Sequence, residues 1–233
     1  MDKKNVSLLQ AEPKPLEIDL QRMAVMVIDI QNAFVKKGAF LDSMGAIDLS
    51  STESIVENNR KLVNAARRKG SKVVYTVEAH PPGYLDYGGP DSDSVLWHKN
   101  PGAVAWREHP EMRDKMLIRD TWGAEIINEL KPQEGDIVNL KHVYSAFFDT
   151  NLNAILKAHN LKYLLFTGVC SSTCVEASLR DAYSYGYFPI LVSDAAFPPN
   201  PDAAKRHEAT IVTIKILYGW VTTTENVLKA MSV

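Results

Sequence analysis

The chain holds two cysteines, Cys170 and Cys174, and the second lies in Thr173-Cys174-Val175-Glu176, which fits the S/T-x-x-E pattern of a helix start. On that reading Thr173 is the N-cap and Cys174 the first helical residue. Unpaired N–H groups and the positive end of the helix dipole then favour thiolate over thiol. A free cysteine is more often a small buried hydrophobe. Two charged residues argue otherwise here. Asp29 closes the apolar run MAVMVID (23–29), Lys141 follows DIVNL (136–140), and Cys174 comes just after KYLLFTG (162–168). Alone, a strand-end Asp is a common turn cap and a strand-end Lys is usually solvated. Together, a carboxylate, an ammonium and a thiol delivered by three strand ends to one edge make an activated thiol physically plausible.

That convergence requires the runs to be strands of one sheet. MAVMVID is continuously apolar, as a strand covered on both faces should be. SIVENNRKLVNAARRKG sets Ile55, Leu62, Val63 and Ala66 on one helical face and ends with Gly70 at a helix C-cap. KVVYTV (72–77) reads as a second strand. The stretch 78–123 is rich in Pro, Gly, Tyr, Trp and His and shows no sustained period, and a loop region of that length in a compact domain is usually functional. AEIINEL (124–130) reads as a short helix, DIVNL as a strand, and NLNAILKAHN (151–160) as a helix. KYLLFTG is a strand, 173–186 a helix and YFPILVSD (187–194) a strand. The last helix spans 201–217, with Pro201 near its first turn. Strands alternating with helices predict a three-layer α/β fold: a mainly parallel, Rossmann-like sheet with helices on both faces. Ligands in such sheets bind beyond the carboxyl ends of the strands, where all three reactive residues fall. Residues 1–20 read as an N-terminal arm and 21–233 as a single domain.

Composition narrows the function classes. The 233 residues are 45% hydrophobic and 23% charged, with 26 basic against 28 acidic side chains. A near-neutral balance and a pI near 6.3 give no basic field for a phosphate backbone or an anionic lipid surface, so neither nucleic acid nor membrane is an expected partner. No apolar run approaches the ~20 residues of a membrane span, and the first twenty residues lack the apolar core of a secretory leader. Two cysteines four apart form no disulfide framework, which suits a cytoplasmic protein. No strand is followed by G-x-G-x-x-G, so dinucleotide oxidoreduction is not expected.

Three stretches, VIDIQNAF (27–34), LKHVYSAFFDTNL (140–152) and FTGVCSSTCVEASLRDAYSYGY (166–187), resemble the isochorismatase-like cysteine hydrolase superfamily in residues, order and spacing from about residue 20 to 230. The resemblance implies an Asp–Lys–Cys triad of Asp29, Lys141 and Cys174, and an oxyanion hole from the backbone N–H groups of Cys170 and Cys174. It also implies a cis peptide at Val169–Cys170. Within the superfamily GDIV..K..YSAFF.T.L, YGGP (87–90) and YGWV are similar to ureidoacrylate amidohydrolases. VEAH (77–80) is closer to biuret hydrolases, since the former carry Asn and Trp where this chain has Glu78 and His80. Either likeness implies cleavage of a ureido or carbamoyl C–N bond with ammonia release, no cofactor, and a homo-oligomer, dimer or tetramer.

Glu78-Ala-His80 also falls where nicotinamidases place the Asp-x-His of a metal site, with Asp86 and His98 as further candidates. A third histidine is missing at the expected spacing, so no metal is expected, and Glu78 and His80 are assigned to hydrogen bonding of a polar substrate. Phe34, Tyr84, Asp86, Trp122, Tyr144 and Phe148 are assigned to the substrate pocket. The alternatives are a nicotinamidase-like carboxamide hydrolase and, more remotely, a non-catalytic scaffold of the same fold.

Overall fold

The run MAVMVI has no polar residue on either side of its alternation, so it can only be a strand covered above and below. The computed structural model, which describes residues 5–46, 49–196 and 203–232, places it at the centre of a six-stranded parallel sheet. In chain order the strands are β1 (Val6–Leu9), β2 (Leu16–Asp19), β3 (Met23–Ile28), β4 (Lys72–Glu78), β5 (Ile137–Lys141), β6 (Tyr163–Gly168), β7 (Phe188–Ala196) and β8 (Trp220–Thr222). The helices are α1 (Asn32–Val35), α2 (Phe40–Ser43), α3 (Leu49–Lys69), α4 (Val95–Lys99), α5 (Pro101–Glu108), α6 (Leu152–Ala158), α7 (Glu176–Ser184), α8 (Ala203–Thr213) and α9 (Thr224–Ala230). The sheet order is β5-β4-β3-β6-β7-β8.

Alternate residues of β3 feed two cores. Met23, Val25 and Val27 pack with Leu62, Val63 and Ala66 of α3 and Val227 of α9. Ala24, Met26 and Ile28 pack with Leu152 and Leu156 of α6 and Leu179 and Ala182 of α7. This is the expected three-layer α/β architecture. A third cluster of Phe40, Tyr84, Tyr87, Trp97, Ala103, Met112 and Met116 lies within the segments after β3 and β4. Among the described residues no helix is long and apolar enough to cross a membrane.

Four local expectations change. AEIINEL is not a helix: 3₁₀ turns at Trp122–Ala124 and Asn128–Leu130 flank Ile126, which bridges to Gln31. Its backbone pairs outward, with Asn32 N–H donating to Glu125 O (2.9 Å) and Ile127 N–H to Ile30 O (3.2 Å), so the tertiary partner overrides helix propensity. The arm, over its described part, is an antiparallel β1–β2 ribbon whose Leu9 and Ile18 are buried in the α3-side core. Short β8 and α9, which the sequence pattern did not reveal, close the chain. The stretch read as one helix over 201–217 is α8 followed by a π-turn at Ile214–Tyr218, and Pro201 lies outside the described residues.

Candidate active site

From β3 the chain builds β4 and β5 on one side, then crosses back to β6 on the other, so the sheet's direction of winding reverses at β3/β6. A crevice opens at such a switch point, beyond the carboxyl ends of the strands. Asp29 follows β3 directly, Glu78 and Lys141 are the last residues of β4 and β5 and pair in register, and Cys174 follows β6. The ends of β3 and β6 come very close. A Cβ on Gly168, whose φ is +101°, would lie 2.0 Å from Ile28 O, so this position admits only glycine. Asp29 itself has φ +50°, a left-handed conformation that Asp tolerates better than most residues. Its N–H reaches Thr76 O and Thr76 Oγ1, both at 3.3 Å, and Thr76 Oγ1 donates to Asp29 Oδ1 at 2.6 Å.

Lys141 is the hub. Its Nζ lies 2.8 Å from Asp29 Oδ2, 2.8 Å from Glu78 Oε2, 2.9 Å from Val143 O and 3.7 Å from Cys174 Sγ. The Asp29 contact is an ion pair without a well-directed hydrogen bond, which leaves Oδ2 unbonded. The Cys174 thiol in turn has Glu78 Oε2 as an acceptor at 3.7 Å. All four side chains are buried. Side-chain donors of Asp29, Glu78 and Cys174 lie within 4.8 Å of one another, close enough to hold a cation. The Lys141 ammonium already occupies that position, so a metal there would have to displace it. His80 offers no alternative, because both its ring nitrogens face carboxylates, and His98 Nε2 is bonded to Ser92 O at 3.0 Å.

The expected capping box does not form. Residues Ser171–Val175 make a π-turn ahead of α7, and Thr173 Oγ1 points back to Cys170 O (3.3 Å). The Glu176 carboxylate accepts from Arg180 Nε (2.9 Å) and from Thr210 instead of reaching the Thr173 backbone. The sulfur is also not a resting thiolate. Burial pushes the Cys174 thiol well above its ordinary pKa; Lys141 opposes this, and the neighbouring carboxylates Asp29 and Glu78 add to it. Burial likewise raises Asp29 against the pull of Lys141, with Glu78 adding to the rise. For Glu78 the balance is reversed: burial is overcome by Lys141 and His80, and its carboxyl is held at about 2. Lys141 resists its own burial through Asp29, Cys174 and Glu78, and stays charged. Burial pushes the Cys170 thiol up to about 11.

Through Glu78 and Cys174 the cluster opens on a cavity of about 210 Å³, while Asp29 and Lys141 are not on its wall. Of the residues assigned from sequence, Phe34, Glu78 and Tyr144 line it, as do Cys170 and Cys174. Five others lie off the wall. His80 and Tyr84 are fully buried behind Glu78, stacked with ring centroids 4.3 Å apart, and Asp86 is bonded to the far side of His80. Trp122 (45% exposed) and Phe148 (60% exposed) face outward, Phe148 against His142. The wall also includes residues that carry no signal in the sequence: Phe40, Leu41 and Ala46, then Asn100 to Gly102 at the start of α5, Leu117, and Arg206 of α8. The peptide Val169–Cys170 is cis.

Comparison with known proteins matches this arrangement. The Isochorismatase domain family covers residues 23–226. The chain is 36% identical over 218 residues to the ureidoacrylate amidohydrolase RutB of Yersinia enterocolitica, covering 94% of this chain and 93% of the relative. Among solved structures, a cysteine hydrolase from Pseudomonas syringae pv. phaseolicola superposes with a TM-score of 0.74 at 28% identity, covering 92% of this chain and 94% of that one. An N-carbamoylsarcosine amidase from Thermoplasma acidophilum gives 0.63 at 25%, covering 88% and 97%. With the domain match spanning nearly the whole sheet and the strand ends carrying the cluster, the chain is a member of the isochorismatase family.

Proposed function

We propose that the protein is a cysteine amidohydrolase that cleaves a C–N bond of a small ureido or carbamoyl compound. The observation that carries this reading is the buried meeting of Asp29, Lys141 and Cys174 beside a cavity that is partly open to solvent. Relatives named for ureidoacrylate hydrolysis point to the same bond class. Asp29 takes the thiol proton as the sulfur attacks the carbonyl, so the nucleophile is generated in the attack and not stored as thiolate. Backbone N–H groups of Cys170 and Cys174 hold the oxyanion, and Lys141 balances the negative charge that develops around it. Collapse expels ammonia, with Asp29 returning the proton. Water, deprotonated by Asp29, then attacks the thioester carbonyl and frees the sulfur, leaving a carbamate from a ureide or a carboxylate from a carboxamide.

Arg206 gives the cavity wall a cation, which suits a substrate carrying its own carboxylate, as a ureido acid does. The apolar part of the wall, Phe34, Phe40, Leu41 and Leu117, suits a short carbon chain between the two ends. The reading also carries the expectation of a cytoplasmic homo-oligomer, and light scattering of the purified protein checks the oligomeric state. Its main test is ammonia release over ureidoacrylate, biuret, N-carbamoyl amino acids, nicotinamide and simple amides. Ureido or carbamoyl compounds should be turned over best; preference for nicotinamide would move the assignment to the carboxamide hydrolases.

A further inference from the structure

Glu78 is the ionisable group at the cavity floor to which acyl transfer as described gives no task. Its two carboxylate oxygens face different partners. Oε2 meets Lys141 Nζ at 2.8 Å and the Cys174 sulfur at 3.7 Å, while Oε1 faces His80 Nε2 at 3.4 Å. Its backbone is fixed by Gln31, whose Nε2 donates to Glu78 O (2.8 Å) and whose Oε1 accepts from Glu78 N–H (3.0 Å). The other His80 nitrogen, Nδ1, lies 2.8 Å from Asp86 Oδ2. Carboxylates only accept hydrogen bonds, and a neutral imidazole has one N–H. With an anion at each ring nitrogen, the imidazolium is the form that satisfies both. The rings of Tyr84 and Tyr87, with centroids 4.3 and 4.9 Å from that of His80, pack against the buried imidazole, and Asp86 at the outer end is partly exposed. Charges therefore alternate along a line that runs inward: Asp86⁻, His80⁺, Glu78⁻, Lys141⁺, Asp29⁻.

We propose that Glu78 is a fourth catalytic residue, held in place and in its charged form by the His80–Asp86 positioning pair, and that by sharing the Lys141 ammonium it leaves Asp29 to take the Cys174 proton. The inference rests on the amidohydrolase reading. A single carboxylate facing Lys141 would form a neutral ion pair and a weak base. A second one makes the trio net negative and strengthens Asp29 as a proton acceptor. The groups facing Glu78 are Lys141 from β5, Cys174 from the π-turn and His80, with Asp29 across the ammonium and Tyr144 over the cavity; those facing His80 are Glu78, Asp86, Tyr84 and Tyr87. The burial-driven rise of Asp29 and Cys174, to which Glu78 adds, runs in the same direction.

Two variants of the full chain test this, each by two measurements. The first is the pH dependence of Cys174 alkylation by iodoacetamide, followed by peptide mapping to separate it from Cys170; the second is kcat/KM against pH on the best ureide. In Glu78→Gln, loss of the neighbouring charge should move the alkylation midpoint down by about one pH unit, so Cys174 reacts about tenfold faster below it. At the same time kcat/KM should fall about tenfold or more, mainly in kcat, with its acid limb at lower pH. In Asp86→Asn, which removes only the outer partner of His80, Glu78 should take up a proton sooner, so the acid limb of kcat/KM moves to higher pH. Faster alkylation with slower turnover is a combination that a packing role does not produce. Unchanged or slower alkylation in Glu78→Gln overturns the proposal, as does kcat/KM within about twofold of the parent, or an Asp86→Asn profile that superimposes on it. If the parent hydrolyses no ureide, the functional reading fails on its own, while the alkylation shift, which needs no substrate, still decides whether Glu78 sets the proton affinity of the thiol.

Discussion

The floor and the wall of the cavity are built by different means. Floor residues Asp29, Glu78 and Lys141 stand at the ends of adjacent parallel strands, and the ladder that pairs Ile28 with Thr76 and Gly168, and Glu78 with Lys141, fixes their spacing. Wall residues Phe34, Phe40, Leu41, Gly102, Leu117 and Arg206 come from short helices and irregular segments, several of them resting on a separate small core around Tyr84, Trp97 and Met116. A ladder cannot shift one residue without turning the next side chain to the opposite face. Irregular segments can be replaced without disturbing the sheet. The contrast assigns the chemical step to the floor and selection of substrate to the wall. Changes in the floor should lower kcat, and changes in the wall should act on KM.

Cys174→Ala makes the hardest attempt to break that division. Ammonia release should drop by about four orders of magnitude or more, while the melting temperature stays within about 3 °C, because only a sulfur atom is lost. An alanine variant with parent-like activity would remove the covalent mechanism. Asp29→Asn should cost about 10² to 10⁴ in kcat. The parent's acid limb follows from the same residue. Asp29 acts in its ionised form, and burial holds its pKa above the ordinary carboxylate value, so activity should fade on acidification earlier than an exposed carboxylate would allow. A limb at the ordinary aspartate value would place the proton acceptor elsewhere.

Gly168→Ala tests whether the floor depends on the ladder, using a residue that carries no chemistry. The new methyl group would meet Ile28 backbone atoms at 2.0 to 2.8 Å in a backbone region that disfavours alanine. A loss of about 3 kcal/mol or more in unfolding free energy is expected, with residual activity falling in kcat. Chemical denaturation reads the first and steady-state kinetics the second. Stability close to that of the parent would mean that β3 and β6 can separate without cost.

The same contrast explains what was legible in the sequence. Asp29, Lys141 and Cys174 could be picked out because each follows an apolar run, and a run of period two or of continuous apolar residues fixes where a strand ends. Their mutual distances follow from the parallel topology. The charge state of the sulfur did not follow, because the local signal at Thr173–Glu176 suggested a helix cap, while the π-turn and the burial that set the thiol arise from tertiary packing. Glu78 and His80 stand out in the sequence as polar residues at a strand end, but no sequence pattern shows that Lys141 pairs with the first and Asp86 with the second. Trp122 and Phe148 were selected as aromatic and turned out to be exposed; aromatic character marks a pocket no better than it marks a surface cluster. Phe40, Leu117 and Arg206 carry no spacing signal at all, because chain segments far apart in sequence bring them to the wall.

Arg206 separates floor from wall by the smallest and most selective effect. If its charge reads a carboxylate at the far end of the substrate, Arg206→Ala should raise KM for ureidopropionate about tenfold and leave kcat nearly unchanged, as expected for a partly solvated ion pair. Propylurea, which has a methyl group in place of the carboxylate, should show the same KM in both enzymes to within about twofold. Arg206→Lys should recover only part of the loss, because a single ammonium cannot match the two parallel hydrogen bonds of a guanidinium. Were KM to rise equally for the acid and for propylurea, Arg206 would act through packing, and the carboxylate would be read elsewhere. A fall in kcat for both substrates would be more damaging still, since a wall residue would then be setting the geometry of the floor.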